Sequence, residues 1–378
     1  MNKLKELINK LCPNGVEYKN IQELCKISRG KVMSKDFIKS NAGEYPVYSS
    51  QTENNGELGK ISTYDFDGEY LTWTTDGANA GSVFYRKGKF SVTNVCGLLE
   101  VKNKVMIPKF LYYVLSIEAP KYVNAGMGNP KLMSNVMAKI KVPVPPLEVQ
   151  CEIVHILDDF TLLSAELSAE LSAELKARKK QYEYYKKTLF ENKNIELKTL
   201  KELATNCDNK RKPITSGNRE KGEYPYYGAS GIVDYVKGYI FDGDYLLISE
   251  DGANLVARKT PIAFSISGKN WVNNHAHVLK FSNMYLQKYV EMYLNYINIE
   301  QYISGAAQPK LNQVNLNKIV IPIPNNDTLK NIVDILLKFD KITNDISEGL
   351  PAEIEARQKQ YEYYRDKLLT FKELKVNE

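Results

Sequence analysis

ARKKQYEYYKKTL, Ala177–Leu189, recurs as ARQKQYEYYRDKL, Ala356–Leu368, 179 residues further on. The same offset relates VEYKNIQEL (Val16–Leu24) to IELKTLKEL (Ile195–Leu203). It also relates GNPKL (Gly128–Leu132) to AQPKL (Ala307–Leu311), KIKVPVPP (Lys139–Pro146) to KIVIPIPN (Lys318–Asn325), and IVHIL (Ile153–Leu157) to IVDIL (Ile332–Leu336). Self-similarity at one long period means a duplicated unit. EYPVY (Glu44–Tyr48) and EYPYY (Glu223–Tyr227) keep the offset, but FDGEYL (Phe66–Leu71) and FDGDYL (Phe241–Leu246) stand 175 apart, as do the two DGAN tetrapeptides at Asp76 and Asp251. The slip places length changes in loops inside each half.

Each half divides in two. The first part, 1–146 or 193–325, alternates short β-branched and aromatic runs with Asp-Gly turns, which predicts strands and tight turns. IPKFLYYVL (Ile107–Leu115) and LQKYVEMYL (Leu286–Leu294) add helical spacing, giving a mixed α+β domain. The second part, 147–192 or 326–378, is predicted to be a long helix. Pro145-Pro146 and Asn325-Asn326-Asp327 are start signals, and no Gly or Pro interrupts Leu147–Phe190. At about 1.5 Å per residue that rod is about 66 Å long.

Its apolar residues form a seam through Ile153, Leu157, Phe160, Leu163, Leu167, Leu171, Leu175, Tyr182, Tyr185 and Leu189. The second copy continues through Ile332, Leu336, Phe339, Ile342, Ile346, Leu350, Ile354, Tyr361, Tyr364 and Leu368, with a break or kink expected at Gly349-Leu350-Pro351. Two such seams predict an antiparallel coiled coil and a pseudo-twofold chain. SAEL, written three times within Leu163–Leu175, steps the seam by fours. Each unit adds about 6 Å and turns the helix by about 400°, so a unit can be added without rotating the core outward.

The net charge of +6 is unevenly spread: +7 over 1–146, −3 over 147–192, +4 over 193–325 and −2 over 326–378. Basic domains beside acidic rods fit a polyanion contacted twice. Twenty-six tyrosines against twelve phenylalanines suit half-polar interfaces. The five cysteines, Cys12, Cys25, Cys96, Cys151 and Cys207, include no CxxC pair, which predicts free thiols in a reducing cytoplasm. MNKLKELINKL reads as an amphipathic helix rather than a signal peptide, and no apolar run reaches membrane-spanning length, so a soluble cytoplasmic protein is expected.

No phosphate-cradling GxxxxGK[ST], no Asn/Asp-Pro-Pro-aromatic tetrapeptide, no glycine-rich cofactor loop and no HExxH occur, and only three histidines are present. His275 and His277 in a strand would face one side. In the repeat they align with Val95-Cys96-Gly97, so a metal site common to both halves is not expected. Asp65, Asp67, Asp242 and Asp244 sit beside glycines and are read as turn residues.

Two variable domains alternating with two similar helices, the KIxVPxPP-type lead into each helix, the QYEYY ends (Gln181–Tyr185 and Gln360–Tyr364) and the SAEL array together resemble the DNA-specificity subunit of a type I restriction–modification enzyme. The resemblance covers the whole chain. It implies two target-recognition domains that each read half of an asymmetric, bipartite double-stranded DNA site. It also implies two helices that hold the domains apart, and docking of two modification (methyltransferase) subunits, with restriction subunits joining where present. It implies a chain without catalysis or cofactor of its own, with S-adenosylmethionine, ATP and Mg used by the partner subunits, and no membrane association.

Candidate DNA contacts in the first domain are Arg29, Lys31, Ser49, Ser50, Gln51, Thr74, Thr75, Asn79, Arg86, Asn129 and Lys131. In the second they are Lys210, Arg211, Lys212, Ser230, Asn254, Arg258, Asn273, Gln308 and Lys310. Residues shared by both halves, such as Asn79/Asn254 and Lys131/Lys310, suit phosphates or turns, since they cannot distinguish half-sites. Spacer and helix-pair candidates are Leu163, Leu167, Leu171, Leu175, Ile342, Ile346, Leu350 and Ile354. Partner-docking candidates are Tyr182, Tyr184, Tyr185, Tyr361, Tyr363 and Tyr364. The alternative is a coiled-coil scaffold that binds no DNA, which explains the rods but not the basic, diverged domains. A self-sufficient nuclease or methyltransferase lacks its motifs.

Overall fold

A computed structural model describes residues 2–102, 104–191, 195–305 and 308–374. The boundary expected at 192/193 and Ala307 of the AQPKL repeat lie outside the described residues. The chain forms two compact units, Met1–Ala169 with Glu355–Glu378, and Glu170–Ile354, and the division falls inside the SAEL array.

In the first unit the strands are β1 (Glu17–Asn20), β2 (Cys25–Arg29), β3 (Ala42–Tyr48), β4 (Glu57–Ile61), β5 (Phe66–Thr74), β6 (Val83–Val92), β7 (Cys96–Val101) and β8 (Lys141–Val144). They make a six-stranded sheet in the order β2-β7-β5-β6-β3-β4 and a separate β1-β8 pair. In the second unit they are β9 (Glu196–Thr199), β10 (Ala204–Asn206), β11 (Lys221–Gly228), β12 (Gly231–Val236), β13 (Phe241–Asp242), β14 (Tyr245–Ser249), β15 (Ala263–Ile266), β16 (Lys269–Val272), β17 (Ala276–Phe281) and β18 (Val320–Ile323). The order β10-β17-β14-β15 repeats β2-β7-β5-β6, and β18-β9 repeats the β1-β8 pair. The first unit carries β3 on the ten-residue β6. The second splits that strand into β15 and β16 around Gly268, whose φ of +73° favours glycine, and so has two four-stranded sheets.

The repeated VEYKNIQEL and IELKTLKEL do the same work in both units. Each gives a strand and then a one-turn helix closed by a capping box. The Asn20 N–H donates to Glu23 (2.9 Å) and the Thr199 N–H to Glu202 (2.7 Å). The Asn20 N–H and side chain hold the Glu23 carboxyl below its ordinary pKa, and the Thr199 hydroxyl (2.6 Å) and N–H do the same for Glu202. KIKVPVPP and KIVIPIPN supply the antiparallel partner strands and bury Val142 and Ile321.

The strand–helix junction then releases one unbroken helix, Leu147–Phe190, with the bounds expected from the two prolines and the Gly/Pro-free run. Its start is pinned by Gln150, which is fully buried. The Gln150 amide donates to Val105 O (2.8 Å) and Pro145 O (2.7 Å) and accepts from Ile107 N–H (2.8 Å). At the equivalent position of the second unit stands Leu329, buried in an apolar core.

The first core gathers Ile21, Leu24, Leu71, Trp73, Phe110 and Leu111 against Val149, Ile153 and Leu157 of the long helix. The second gathers Leu246, Ile248, Tyr289 and Leu294 against Ile332 and Leu336, with Tyr182 and Phe190. Fully burying each such side chain stabilises by about 1.5–3 kcal/mol. Each α+β domain is thus packed onto its helix through a shared core.

Helix packing is antiparallel in the first unit. Phe160 meets Tyr364 edge-on (6.3 Å between ring centroids), and Thr161 Oγ1 lies 2.9 Å from the Tyr361 hydroxyl. In the second unit Phe339 stacks on Tyr182 and tilts against Tyr185.

The expected continuous seam needs correction. Leu163 is 62% exposed, while Leu167, Leu171 and Leu175 are half-buried. The distal helix is two helices, Asn326–Asn344 and Leu350–Leu369. Ile342 is 41% and Ile346 82% exposed, and Leu350 and Ile354 are half-buried. The physical reason is the break over 345–349. Asp345 accepts the Ser347 N–H (2.7 Å), and Gly349 packs so closely that a Cβ there would lie 2.5 Å from Lys341 O. Ile346 sits in that break and cannot join a helical face. Pro351 occupies the first turn of the second segment, where its missing N–H costs nothing.

Gln150→Ala strips three backbone groups of their partner. A loss of about 2–3 kcal/mol, seen as a fall in Tm, is the expected outcome. Gln150→Leu, copying the second unit, should do no better, because those groups stay buried and unpaired.

Candidate nucleic-acid interface

In the first unit five loops meet at one end of the sheet. The Gly77 N–H donates to Pro130 O (3.0 Å), Leu132 N–H to Thr75 O (2.9 Å), Lys31 N–H to Val92 O (3.2 Å), Thr93 N–H to Tyr48 O (2.9 Å) and Thr75 N–H to Val95 O (3.4 Å). The second unit repeats every one. Gly252 donates to Pro309 O (3.1 Å), Leu311 to Glu250 O (2.8 Å), Lys212 to Val272 O (3.2 Å), Asn273 to Tyr227 O (3.0 Å) and Glu250 to His275 O (2.9 Å). Gly77 (φ +96°) and Gly252 (φ +107°) need the left-handed conformation to aim those N–H groups. The result is one backbone scaffold carrying two different sets of side chains.

The scaffold is locked through one carbonyl. Trp73, fully buried, donates its indole N–H to Leu132 O (3.0 Å). Its ring fills the space over Gly97, where a Cβ would lie 2.3 Å from the indole. In the second unit Ile248 replaces Trp73 and His277 replaces Gly97. His277 Nε2 then reaches the equivalent carbonyl, Leu311 O, at 2.7 Å. The N–H donor has crossed to the neighbouring strand, yet the Pro-Lys-Leu loop is held in both units.

His277 anchors a buried ionic cluster. Its Nδ1 lies 2.6 Å from Asp208, and Arg211 reaches Glu250 (2.5 Å) and Asp208 (3.2 Å), while Lys310 reaches Glu250 (3.2 Å). Burial raises the Asp208 carboxyl, but His277, the Val278 N–H and Arg211 outweigh it and hold the pKa below the ordinary value. Glu250 behaves alike, with Arg211, His277 and Lys310 outweighing burial. Ligand atoms of Asp208, Glu250 and His277 lie within 4.8 Å of one another. Arg211 and Lys310 already supply the positive charge there.

His275 corrects the expectation that the two histidines face one side. It precedes β17, is half exposed and pairs with Asp251 (2.8 Å), whereas His277 is 1% exposed.

The sequence candidates separate by burial. Arg29, Lys31, Asn79, Asn129 and Lys131 are exposed at the first loop cluster, and Ser49, Ser50 and Gln51 are half-buried beside it. Lys31 pairs with Asp65, and Arg29 bonds Ser134. Asn79 donates to Thr52 Oγ1 (3.0 Å) and Gln51 to Glu57 O. Thr74, Thr75 and Arg86 are buried.

In the second unit Lys210, Lys212, Ser230, Gln308 and Lys310 are exposed, and Arg211 is committed to the ionic cluster. Asn273 is buried and accepts the His275 N–H (2.8 Å), and Asn254 braces Thr260. Arg258, at φ +50°, donates to Leu294 O (3.1 Å) and Ile297 O (2.6 Å), satisfying carbonyls at the end of the helix Met284–Tyr296.

Sequence reasoning missed Trp73, Asp208, Glu250 and His277 as the groups that hold the loops. Only strand register brings them together. Of the tyrosine candidates, Tyr184 (66%) and Tyr363 (60%) are exposed at equivalent positions. Tyr182 is buried, and Tyr185, Tyr361 and Tyr364 are half-buried in helix packing. Among the described residues no helix is long and apolar enough to cross a membrane.

The family model of the type I restriction–modification DNA specificity domain matches the chain twice, over residues 13–177 and 192–356. A Mycoplasma pneumoniae protein named as a type I specificity subunit is 34% identical over 366 residues, covering 92% of this chain and 96% of that protein. A second M. pneumoniae protein, named as the N-terminus of such a subunit, is 56% identical over 178 residues, covering 46% of this chain and 95% of its own length. The fold is shared with the HsdS subunit of Thermoanaerobacter tengcongensis, with a TM-score of 0.57 at 15% identity over 95% of this chain and 97% of that one.

Two outcomes test the scaffold. Trp73→Phe leaves Leu132 O without its donor and should cost about 1–3 kcal/mol in thermal unfolding. Asp208→Asn should lower Tm above about pH 4, where the depressed carboxyls are ionised in both folded and unfolded chains. As pH falls through the folded-state values, the native protein loses the same contribution and the difference between the two proteins should close. A deficit unchanged at pH 3 would contradict the assignment.

Proposed function

The chain belongs to the type I restriction–modification DNA specificity family, and on that premise we propose that it is the non-catalytic reader of a bipartite, asymmetric double-stranded DNA site. Each recognition domain takes one half-site. The observation that carries this is the pair of loop clusters, identical in backbone bonding and different in side chains. An equivalent backbone can sit on two duplex segments in the same way, while the differing side chains read different bases. Shared Lys131 and Lys310, each at the tip of a bonded loop beside a carboxylate, suit phosphates.

The long helices hold the two readers and dock two modification subunits, with restriction subunits joining where present. Exposed Leu162 and Leu163, Tyr184 and Tyr363 supply apolar surface for that docking. S-adenosylmethionine, ATP and Mg are used by those partners. Each SAEL unit lengthens the spacing by about 6 Å of helix, close to two base-pair steps of about 3.4 Å.

With S-adenosylmethionine the purified chain should transfer no methyl group. With a modification subunit it should direct methylation to one two-part motif, identified by methylation-sensitive sequencing. Methyl transfer by the chain alone would contradict the proposal. Deleting one SAEL should shorten the unspecified gap and leave both half-sites unchanged. An altered half-site with an unchanged gap would overturn the ruler. Lys131→Gln and Lys310→Gln should each weaken binding to all sequences alike and reduce the salt slope by about 1.

A further inference from the structure

We propose that Arg86 is a concealed base-reading residue of the first domain, which presents its guanidinium edge to a guanine of the first half-site when the loop 49–56 swings aside. This rests on the DNA-reading function proposed above.

Arg86 is 2% exposed, yet neither Nη1 nor Nη2 makes a well-formed hydrogen bond in the protein, the Tyr48 side chain standing close enough only to help stabilise the charge. Its Nε donates to Thr72 Oγ1 (3.1 Å), and the guanidinium lies 3.6 Å from the Tyr48 ring centroid and 4.6 Å from that of Phe84. The fork is therefore fixed in orientation, with one nitrogen anchored and two left over. Burial pushes its pKa down, opposed chiefly by Tyr48, with Cys96 and Tyr112 nearby and no carboxylate among the opposing groups. Buried cations are normally paired, and unpaired buried donors cost about 1–3 kcal/mol each or more when charged. Thr74 Oγ1 and Thr93 Oγ1, at the ends of β5 and β6, are likewise buried without partners.

The second domain shows that the fold does not require this. Equal strand register sets Arg86 opposite Tyr70 and Ile266 opposite Tyr245, and sets Thr72 and Leu247 opposite Phe84 and Phe264. Cys96 likewise becomes Ala276. Ile266, Leu247 and Ala276 all lie in an apolar core. One domain buries a polar pocket where the other packs hydrocarbon. A difference of that kind between the halves is what half-site discrimination needs.

The cover also differs. In the second domain β11 and β12 are joined by Ala229 and Ser230 alone, whereas the first inserts Ser49–Gly56 between β3 and β4. A Cβ on Gly56 would stand 3.0 Å from Arg86 Nη2, so this loop is the lid. It contributes no large apolar side chain. It is held by Ser49 N–H to Gly56 O (2.9 Å), Gln51 to Glu57 O and Asn79 to Thr52. Asn54 (φ +48°) and Asn55 (φ +53°) are left-handed, a conformation that asparagine tolerates in turns. A polar lid with no apolar anchor over an unsatisfied fork opens at low cost, and the paired Nη donors match guanine O6 and N7.

The test uses the full chain assembled with its modification subunit, and duplexes varied one base pair at a time. Arg86→Met should keep or raise Tm, because it removes an unpaired buried charge. It should weaken cognate binding about 10–100-fold and abolish discrimination at one G·C pair of the first half-site, leaving the second half-site and the salt slope unchanged. Arg86→Lys, which keeps the charge but not the fork, should lose the same discrimination.

A lowered Tm with discrimination intact would make Arg86 structural and overturn the proposal. Uniform weakening with a shallower salt slope would assign it to a phosphate and equally overturn it. Absence of any sequence-specific binding by the unsubstituted complex would sink the underlying reading instead.

Discussion

The hydrogen bond into the carbonyl of Leu132, and its counterpart into Leu311, is the constraint on which both recognition surfaces depend. The loop bearing that carbonyl also carries the shared lysine, receives the glycine N–H of the Asp-Gly turn and pairs back on Asn124 or Ser304. Left unpaired, a buried carbonyl of this kind would release all three. Trp73 over Gly97 and His277 beside Ile248 are two solutions to one requirement. The substitutions are coupled: an indole needs the missing Cβ, and an imidazole needs the smaller neighbour.

The two solutions have different electrostatic consequences. The indole brings no charge, and at the place of Glu250 the first domain has the neutral Thr75, whose hydroxyl bonds Asp76 and Val95 O. The imidazole has an oxygen acceptor at both ring nitrogens, so it recruits Asp208, and with it Arg211, Glu250 and Lys310. One arginine that composition alone would assign to DNA is thereby spent inside the protein. Two exposed lysines stand at equivalent positions of both domains, Lys31 with Lys212 and Lys131 with Lys310, while Arg29 in one and Lys210 in the other add charge that differs between them.

Much of the fold was legible because local chemistry specified it. Pro145-Pro146, Asn325 and the Gly/Pro-free run fixed helix starts and the length of Leu147–Phe190, and the repeat required two copies of one domain. The break before Leu350 was legible in Gly349-Leu350-Pro351. Its cost to the seam was not, because Ile342 and Ile346 keep the apolar spacing while Asp345 and Gly349 unwind the backbone beneath them. Charge and position placed the exposed lysines at the loop clusters. The fates of Arg258, Arg211 and Thr75 were hidden, since a guanidinium at a helix end or in an ion cluster is set by register and tertiary contact rather than neighbouring residues. The Trp73/His277 exchange was invisible for the same reason, as it compares positions on adjacent strands.

The central claim is that each domain carries its own half-site on a common backbone. It is tested most directly by sequencing the methylation motif directed by a chain in which the recognition region of the second domain replaces that of the first, with both helices and all SAEL units kept. The account predicts a symmetric motif, with the second half-site present twice at the original spacing. Retention of the original asymmetric motif would contradict it.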